Sequence, residues 1–139
     1  MTIERKTVFD TGVVVSAVLL PRSIPRRAFD LATVSGRLLA SQSTIDELEE
    51  VLRRAKFNKY VSEQARLEFL AALVNEAEIV PITQQVAACR DTTDDKFLEL
   101  AISGQASHIV SGDADLLVLH PFRGVAIVRP DEFVHMLMK

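Results

Sequence analysis

The sequence lacks the features of a secreted, disulfide-bonded or membrane-spanning protein. Cys89 is the only cysteine among the 139 residues, which excludes an internal disulfide and makes a reducing compartment the default expectation. The longest apolar run, residues 13–20, is interrupted by Ser16 and is too short to span a bilayer. Residues 1–6 lead directly into a strand-like segment without a small-residue cleavage site. We therefore expect a cytoplasmic protein without a signal peptide.

An excess of positive charge, the usual mark of a nucleic-acid binder, is also missing. The formal net charge is −3, but the distribution of charge matters more than the sum because phosphate contacts are local. Acidic side chains recur at the ends of apolar segments. The basic side chains form two clusters along the chain, Arg22, Arg26 and Arg27, and then Arg53, Arg54, Lys56 and Lys59. The pattern is compatible with an acidic pocket that has a basic rim, and also with ordinary solvated surface.

Short apolar segments alternate with longer amphipathic ones over the whole chain. We predict strands at residues 7–9, 38–40, 79–80, 108–110 and 125–128. We predict helices at residues 12–20, 25–32, 43–54, 62–77 and 94–106, and a terminal helix that opens at Pro130. The strands lack polar alternation, so we expect them to be buried on both faces. This order predicts one α/β domain over residues 1–139, a three-layer α/β/α sandwich with a mainly parallel central sheet.

Three local details follow from patterns within these segments. Ser43 and Asp46 match a capping box at the start of the third helix. Gly112 is expected to allow a tight turn after the fourth strand. The side chains expected to face inward in the fourth helix are Leu67, Leu70, Ala71 and Val74.

Four carboxylates stand where a parallel sheet would gather them. Asp10 follows the first strand, Asp113 follows the fourth, and Asp94 begins a helix on its core-facing side. Glu47 shares a helix face with three apolar side chains, where an acid requires a partner or a cation. Sites in such sheets form at the carboxyl ends of the strands. These acids are therefore candidates for one site.

Each acid also has a purely structural interpretation. Asp10 is a favoured N-cap for the first helix, Glu47 can complete a second capping box or reach solvent, and Asp113 can cap a turn. Asp91 and Asp95 suit the positive end of a helix dipole, which is the preferred interpretation for these two. Taken together, however, four converging anions repel and raise one another's pKa unless a hard cation neutralises them. Oxygen-only ligation suits Mg²⁺ or Mn²⁺.

Four segments also carry a family resemblance. They are residues 8–17 (VFDTGVVVSA), 46–57 (DELEEVLRRAKF), 91–101 (DTTDDKFLELA) and 108–117 (HIVSGDADLL). In order and spacing they resemble a PIN domain, and among PIN domains the toxin components of bacterial and archaeal toxin–antitoxin pairs, relatives of the VapC toxins. The resemblance runs through nearly the whole sequence. It implies a PIN-like α/β/α sandwich and a Mg²⁺- or Mn²⁺-dependent ribonuclease.

By motif position, the resemblance implies an acidic quartet that is both catalytic and metal-binding, namely Asp10, Glu47, Asp94 and Asp113. The nearby side chains that would support this site are Ser16, Ser111, Asp95 and Asp115, the last as a further metal ligand. Ser111 stands where the family usually has threonine, which keeps the hydroxyl. Gly12 stands where the family commonly has asparagine, so an amide that could contact water or substrate is missing.

The implied reaction is hydrolysis of an RNA phosphodiester bond by a metal-activated water. Asp10, Asp94 and Asp113 would hold the principal ion. Glu47 would bind a second ion, or hold or deprotonate the attacking water. Single-stranded RNA or exposed RNA loops are the expected substrates because their unstacked bases can be read. Phosphate contacts would come from Arg22, Arg26 and Arg27.

The resemblance also implies protein partners. Toxins of this group usually pair with a small antitoxin that covers the acidic pocket, and they often self-associate. We therefore expect an antitoxin and a homodimer or larger homo-oligomer, and no membrane association.

Two other functions are left open by the residues. One is a PIN fold with weakened activity that binds RNA or protein, which Gly12 favours. The other is a carboxylate phosphotransfer domain with Asp10 as nucleophile. Such domains need a second acid or a well-placed lysine close to the nucleophile, and Lys56 and Lys96 lack the expected sequence context. The residues favour this last interpretation least.

Overall fold

A computed structural model of the chain describes residues 4–138. Its strands are β1 (Arg5–Phe9), β2 (Gly36–Ala40), β3 (Glu78–Ile79), β4 (His108–Val110) and β5 (Ala126–Val128). Its helices are α1 (Thr11–Leu19), α2 (Ile24–Ser35), α3 (Gln42–Leu52), α4 (Glu63–Glu76), α5 (Asp95–Gly104), α6 (Ala114–Leu117) and α7 (Pro130–Leu137). Residues 1–3, part of the stretch on which we predict no signal peptide, lie outside the described residues. Within residues 4–138, no helix combines the length and apolar character needed to cross a membrane.

The five strands form one parallel sheet in the order β3-β2-β1-β4-β5. The chain winds outward from β1 in both directions, because β2 lies on one side of it and β4 on the other. Ligand crevices in such sheets form where the strand order reverses, outside the carboxyl ends of the strands. Asp10 directly follows β1, and Ser111 directly follows β4. The topology therefore brings both residues to the reversal point.

Alternate residues along the strands pack on opposite faces of the sheet. Phe9 and Val110 belong to one core cluster, which includes buried side chains from α1, α2, α3, α4 and α7. Val8 and Ile109 belong to a second cluster, which includes buried side chains from α5 and α6. This period of two is the geometry of a strand covered on both faces. The prediction of a three-layer α/β/α sandwich with a parallel sheet is confirmed.

The start of α3 differs from the prediction, because its cap is Ser41 rather than Ser43. The Thr44 N–H donates to Ser41 Oγ at 3.2 Å, and the Ser41 N–H donates to Thr44 Oγ1 at 3.0 Å. Ser41 and Thr44 are both buried, so their polar groups need protein partners and find them in each other. Ser43 is exposed in the first turn. Glu47 has no part in this capping box and remains available for another role.

The inward face of α4 also differs from the prediction. Leu70 is buried as expected, but Ala71 is exposed, and Leu73 and Arg66 are buried instead. Leu67 and Val74, the other two predicted side chains, are only partly buried. The periodicity of apolar residues misplaced this face because it takes no account of a charged side chain that is buried.

Arg66 is fully buried, at 0% exposure, and joins α4 to the end of α3. Its guanidinium donates to the carbonyl oxygens of Leu52 at 2.6 Å and Arg54 at 3.3 Å, to the Val61 carbonyl, and to Asn58 Oδ1 at 3.1 Å. The last carbonyls of a helix have no partner within it and carry the negative end of its dipole. A buried cation at this position therefore satisfies the C-terminus of the helix that bears Glu47.

The turn after β4 does not use the conformational freedom of glycine. Among the described residues, positive φ angles occur at Gln105, Arg123 and Gly124, and Gly112 is not one of them. Gly112 therefore does not adopt the left-handed backbone conformation that favours glycine in tight turns. A Cβ atom at this position would meet no other atom within 4 Å.

Candidate functional site

A cleft of about 450 Å³ opens at the carboxyl ends of β1 and β4, and all four acids of the predicted quartet line it. They come from four separate places in the fold. Asp10 follows β1, Glu47 lies on α3, Asp94 ends a short 3-10 turn before α5, and Asp113 precedes α6. Ser16 on α1, predicted as a polar position facing the site, lines the same cleft.

Ser111 connects two of these acids. Its hydroxyl donates to Asp10 Oδ2, and its oxygen accepts from the Asp113 N–H at 3.0 Å. Asp10 Oδ1 accepts from the Val13 N–H at 2.8 Å, so Asp10 also caps α1 as its structural interpretation predicts. Burial raises the pKa of Asp10, the hydrogen bonds from Ser111 and Val13 oppose this, and the charge of Asp113 raises it again. The pKa of Asp10 therefore lies above its ordinary value, and both oxygens of its carboxyl group are held in place by hydrogen bonds.

Asp94 shows most clearly that negative charge is concentrated in the cleft. Burial, then a hydrogen bond to Asp113, and then the charges of Asp113, Asp91 and Glu47 raise the pKa of Asp94 from 3.8 to about 6. The Asp94 side chain makes no capping hydrogen bond to α5, so helix capping does not explain it. Asp113 is held by the Asp115 N–H, which donates to its Oδ1 at 2.9 Å.

Glu47 is paired with a lysine that sequence reasoning did not assign to the site. The Lys96 ammonium contacts Glu47 Oε2, and the Thr11 hydroxyl donates to Glu47 Oε1. The only sequence signal is indirect, because an acid on an apolar helix face needs a partner. In addition, a lysine in the first turn of a helix opposes the dipole. The ammonium of Lys96 contacts Glu47 and not Asp10. A phosphotransfer domain with Asp10 as nucleophile would need a lysine beside Asp10, so Lys96 does not fill that role.

Asp95 and Asp115, predicted to support the site, are not among the residues that line the cleft. The Asp95 Oδ1 accepts from the N–H groups of Ala88 at 3.1 Å and Cys89 at 2.7 Å. Burial raises the pKa of Asp95, but these hydrogen bonds outweigh it and hold the pKa below its ordinary value. Asp95 therefore anchors the irregular segment before the 3-10 turn, as part of the frame around Asp94.

The three arginines expected to contact RNA lie just before or within α2, and none of them lines the cleft. Arg26 is engaged elsewhere: its Nε lies 3.2 Å from Asp30 Oδ1, and its Nη1 donates to the Ala17 carbonyl at 3.4 Å. Its guanidinium carbon also lies 5.3 Å from the centre of the Phe69 ring. Arg22 and Arg27 are exposed. Because Pro25 does line the cleft, the start of α2 borders the acids.

The donor atoms of the cleft suit a hard divalent cation, although the side chains do not form a complete coordination site. Within residues 4–138, no group of three or more His, Cys, Asp or Glu side chains is arranged to hold an ion as it stands. The ionisable groups that line the cleft are all carboxylates, which Mg²⁺ and Mn²⁺ prefer over nitrogen or sulfur. Burial is the largest cause of the raised pKa of Asp94, and the charges of Asp113, Asp91 and Glu47 add to it; a cation would relieve this added repulsion. The residues therefore fit such an ion in charge and donor type.

Comparison with known proteins agrees with this architecture. A chain in the crystal structure of PAE2754 from Pyrobaculum aerophilum superposes with a TM-score of 0.64 at 14% identity, covering 96% of this chain and 90% of that one. A chain in the structure of VapBC2 from Rickettsia felis bound to a promoter DNA fragment gives 0.60 at 12% identity, covering 88% and 96%. A chain of DNA-bound VapBC from Salmonella typhimurium gives 0.58 at 16% identity, covering 91% and 98%. At these identities the likeness concerns the fold alone.

Sequence comparison identifies the family. The uncharacterized protein MJ1680 of Methanocaldococcus jannaschii is 32% identical over 119 residues, which cover 84% of this chain and 76% of that protein. The family model described as PIN domain matches residues 6–115, a range that includes all four acids of the cleft. This chain therefore belongs to the PIN domain family.

Proposed function

We propose that this chain is a Mg²⁺- or Mn²⁺-dependent ribonuclease and the toxin of a toxin–antitoxin pair. The observation that carries the proposal is the convergence of four carboxylates in one cleft at the reversal point of the sheet. Membership of the PIN domain family supports a nuclease, and the fold shared with the VapBC chains supports a toxin.

Asp10, Asp94 and Asp113 would hold the divalent ion. When bound, such an ion lowers the pKa of a water nucleophile and stabilises charge on the phosphate oxygens. Ser111 joins the Asp10 carboxylate to the backbone N–H of Asp113 through its two hydrogen bonds, so the backbone of Asp113 is held beside Asp10. Glu47 faces the same cleft and would orient the attacking water. Asp115 would act on the ion through Asp113, to which its N–H donates.

RNA that is single-stranded or looped out would enter across the start of α2. Arg22 and Arg27 are exposed there and would contact phosphates without reading sequence. Arg26 would contribute less, because its guanidinium is already bound to Asp30 and Ala17. A small antitoxin would inhibit by covering the cleft, and a second copy of the chain would complete a homodimer.

The test is cleavage of a labelled single-stranded RNA in Mn²⁺, in Mg²⁺ and in EDTA. We expect metal-dependent cleavage that falls at least about a hundredfold in Asp10→Asn and Asp94→Asn. Asp46→Asn is the matched control, because Asp46 is exposed on α3, is bonded to Gln42 and does not line the cleft. Circular dichroism would verify that each variant folds. Cleavage retained in Asp94→Asn would remove Asp94 from the mechanism, and cleavage in EDTA would reject metal dependence.

A binding module without turnover is the second candidate, and Gly12 is the feature that favours it. Gly12 lines the cleft, and a Cβ atom there would meet only Asp10 Oδ1, at 3.8 Å. The backbone at position 12 therefore has room for the Cβ atom of the asparagine that is common in the family. Absence of cleavage together with Mg²⁺-independent RNA binding would support this candidate. Cleavage gained by Gly12→Asn would then attribute the loss to the missing amide.

A further inference from the structure

The ion pair between Lys96 and Glu47 separates the acids of the cleft into one carboxylate with a counter-charge, Glu47, and three aspartates without one. We propose that this pair restricts the cleft to one divalent ion, held by the three aspartates, with the Lys96 ammonium in the place that a second ion would need. The inference rests on the proposed metal dependence and extends it to the number of ions and to the role of Glu47. Lys96 is then a positioning residue that acts through Glu47.

Glu47 has both of its oxygens engaged within the protein. Oε2 contacts the Lys96 ammonium, and Oε1 accepts from the Thr11 hydroxyl. The Lys96 and Glu47 side chains are 18% and 25% exposed. In the rest of the described chain, every ion pair includes a side chain that is at least 38% exposed. Because partial burial reduces screening by solvent, this pair is the one best shielded from water and salt.

The position of Lys96 is explained by Glu47 and not by its own helix. Lys96 lies in the first turn of α5, where the helix dipole disfavours a cation. Asp94 and Asp95, which precede it, suit that end of the helix, whereas a lysine does not. The contact with Glu47, on a different helix and 49 residues away along the chain, offsets this cost.

The three aspartates of the cleft have no such counter-charge. Within residues 4–138, none of Asp10, Asp94 and Asp113 takes part in an ion pair. One divalent ion would compensate most of their charge. A second ion at Glu47 would have to displace the ammonium and leave it unpaired in a partly buried position, which is unfavourable. The charge balance therefore favours a single ion beside the three aspartates.

The number of bound ions can be measured directly with Mn²⁺ as the only ligand, by calorimetry and by electron paramagnetic resonance of free Mn²⁺. We expect one Mn²⁺ per full-length chain, and two in Lys96→Met, in which Glu47 is released. Glu47→Gln should weaken Mn²⁺ binding about tenfold, because the unpaired ammonium then repels the ion. The double variant Lys96→Met/Glu47→Gln should return to one ion with an affinity within about twofold of the unmodified chain.

Lys56→Met is the matched control, because Lys56 is exposed and does not line the cleft; it should change neither number nor affinity. Two ions in the unmodified chain, or a loss of more than about tenfold in the double variant, would make Glu47 a ligand and overturn the inference while leaving a metal-dependent nuclease intact. Absence of Mn²⁺ binding in the unmodified chain would instead overturn the proposed function, and the inference with it. If Lys96→Met does not fold, the ion count of the unmodified chain and the behaviour of Lys96→Gln decide the question.

Discussion

Asp94 gives the metal-free protein a pH dependence of stability that runs opposite to that of an ordinary carboxylate. Burial, then hydrogen bonding and charge repulsion from Asp113, raise the pKa of Asp94 from 3.8 to about 6. A group whose pKa is raised in the folded state contributes stability that is fully present below pH 3.8 and is lost as the pH rises through about 6. We therefore expect Asp94 to stabilise the metal-free protein more at pH 5 than at pH 7.

The size of this effect follows from proton linkage. A folded pKa of about 6 and an unfolded pKa of 3.8 correspond to at most about 1 kcal/mol between pH 5 and pH 7. Asp94 is only partly buried, so solvent screening reduces the expected value to roughly half of that. His108 acts in the opposite direction, because burial lowers its pKa below 6.5, and stability present above pH 6.5 is lost as the pH falls. The contribution of Asp94 must therefore be measured against a variant that keeps His108.

Asp94→Asn is that variant, since it removes the carboxyl group and leaves His108 in place. Thermal unfolding of both proteins in EDTA would be followed by circular dichroism at pH 5, 6 and 7. We expect Asp94→Asn to be the more stable protein at pH 7, and the difference to shrink by about 2 °C on going to pH 5. Saturating Mn²⁺ should remove the advantage of the variant, because the ion replaces the proton in relieving the repulsion. Equal pH dependence of the two proteins in EDTA would refute the crowding of carboxylates described for the cleft.

Three further substitutions test the frame around the cleft, each by urea unfolding. Arg66→Met leaves buried carbonyl groups without a donor and should lower the free energy of unfolding by about 3 kcal/mol, of which Arg66→Lys should recover only part. An unchanged urea midpoint in Arg66→Met would contradict the role given to the guanidinium. Thr7→Val replaces a buried hydroxyl that has no hydrogen-bond partner in the described part of the chain and should raise the free energy of unfolding by about 1 kcal/mol. A decrease would show that the hydroxyl forms a hydrogen bond. Gly12→Ala should add about 0.5–1 kcal/mol, since the Cβ atom has room beside Asp10, and should leave Mn²⁺ affinity unchanged; weaker Mn²⁺ binding would place position 12 at the ion.

Much of the fold could be predicted from the order of its segments. Each predicted strand overlaps the observed one, from β1 at Arg5–Phe9 to β5 at Ala126–Val128, because short apolar runs are typical of strands buried on both faces. The order of the strands in the sheet could not be predicted in this way. Apolar strands are interchangeable with respect to burial, so the pattern of apolar residues does not determine which strands lie side by side.

Local errors arose where polar groups found partners inside the protein. The apolar periodicity of α4 gave no indication that Arg66 is buried, because its guanidinium binds carbonyl groups that become available only when α3 and α4 are packed together. The same holds for Ser41, whose capping role depends on its burial with Thr44 at the end of β2. Hydrophobic patterns report which face of an element is apolar and carry little information on such satisfied polar groups.

The candidate site also has features that the sequence alone predicts and features that depend on tertiary packing. By itself, the sequence determined which acids stand at the ends of apolar segments, because strand ends and helix starts are local features, and Asp10, Asp94 and Asp113 could be named from them. Only the tertiary structure decided that Glu47 pairs with Lys96, that Asp95 holds a neighbouring segment and that Arg26 binds Asp30. The physical reason is the distance along the chain over which each property is set. The burial of a side chain follows the short period of apolar residues in its own helix or strand, whereas a charged side chain finds its partner only when the packing of the helices brings distant residues together.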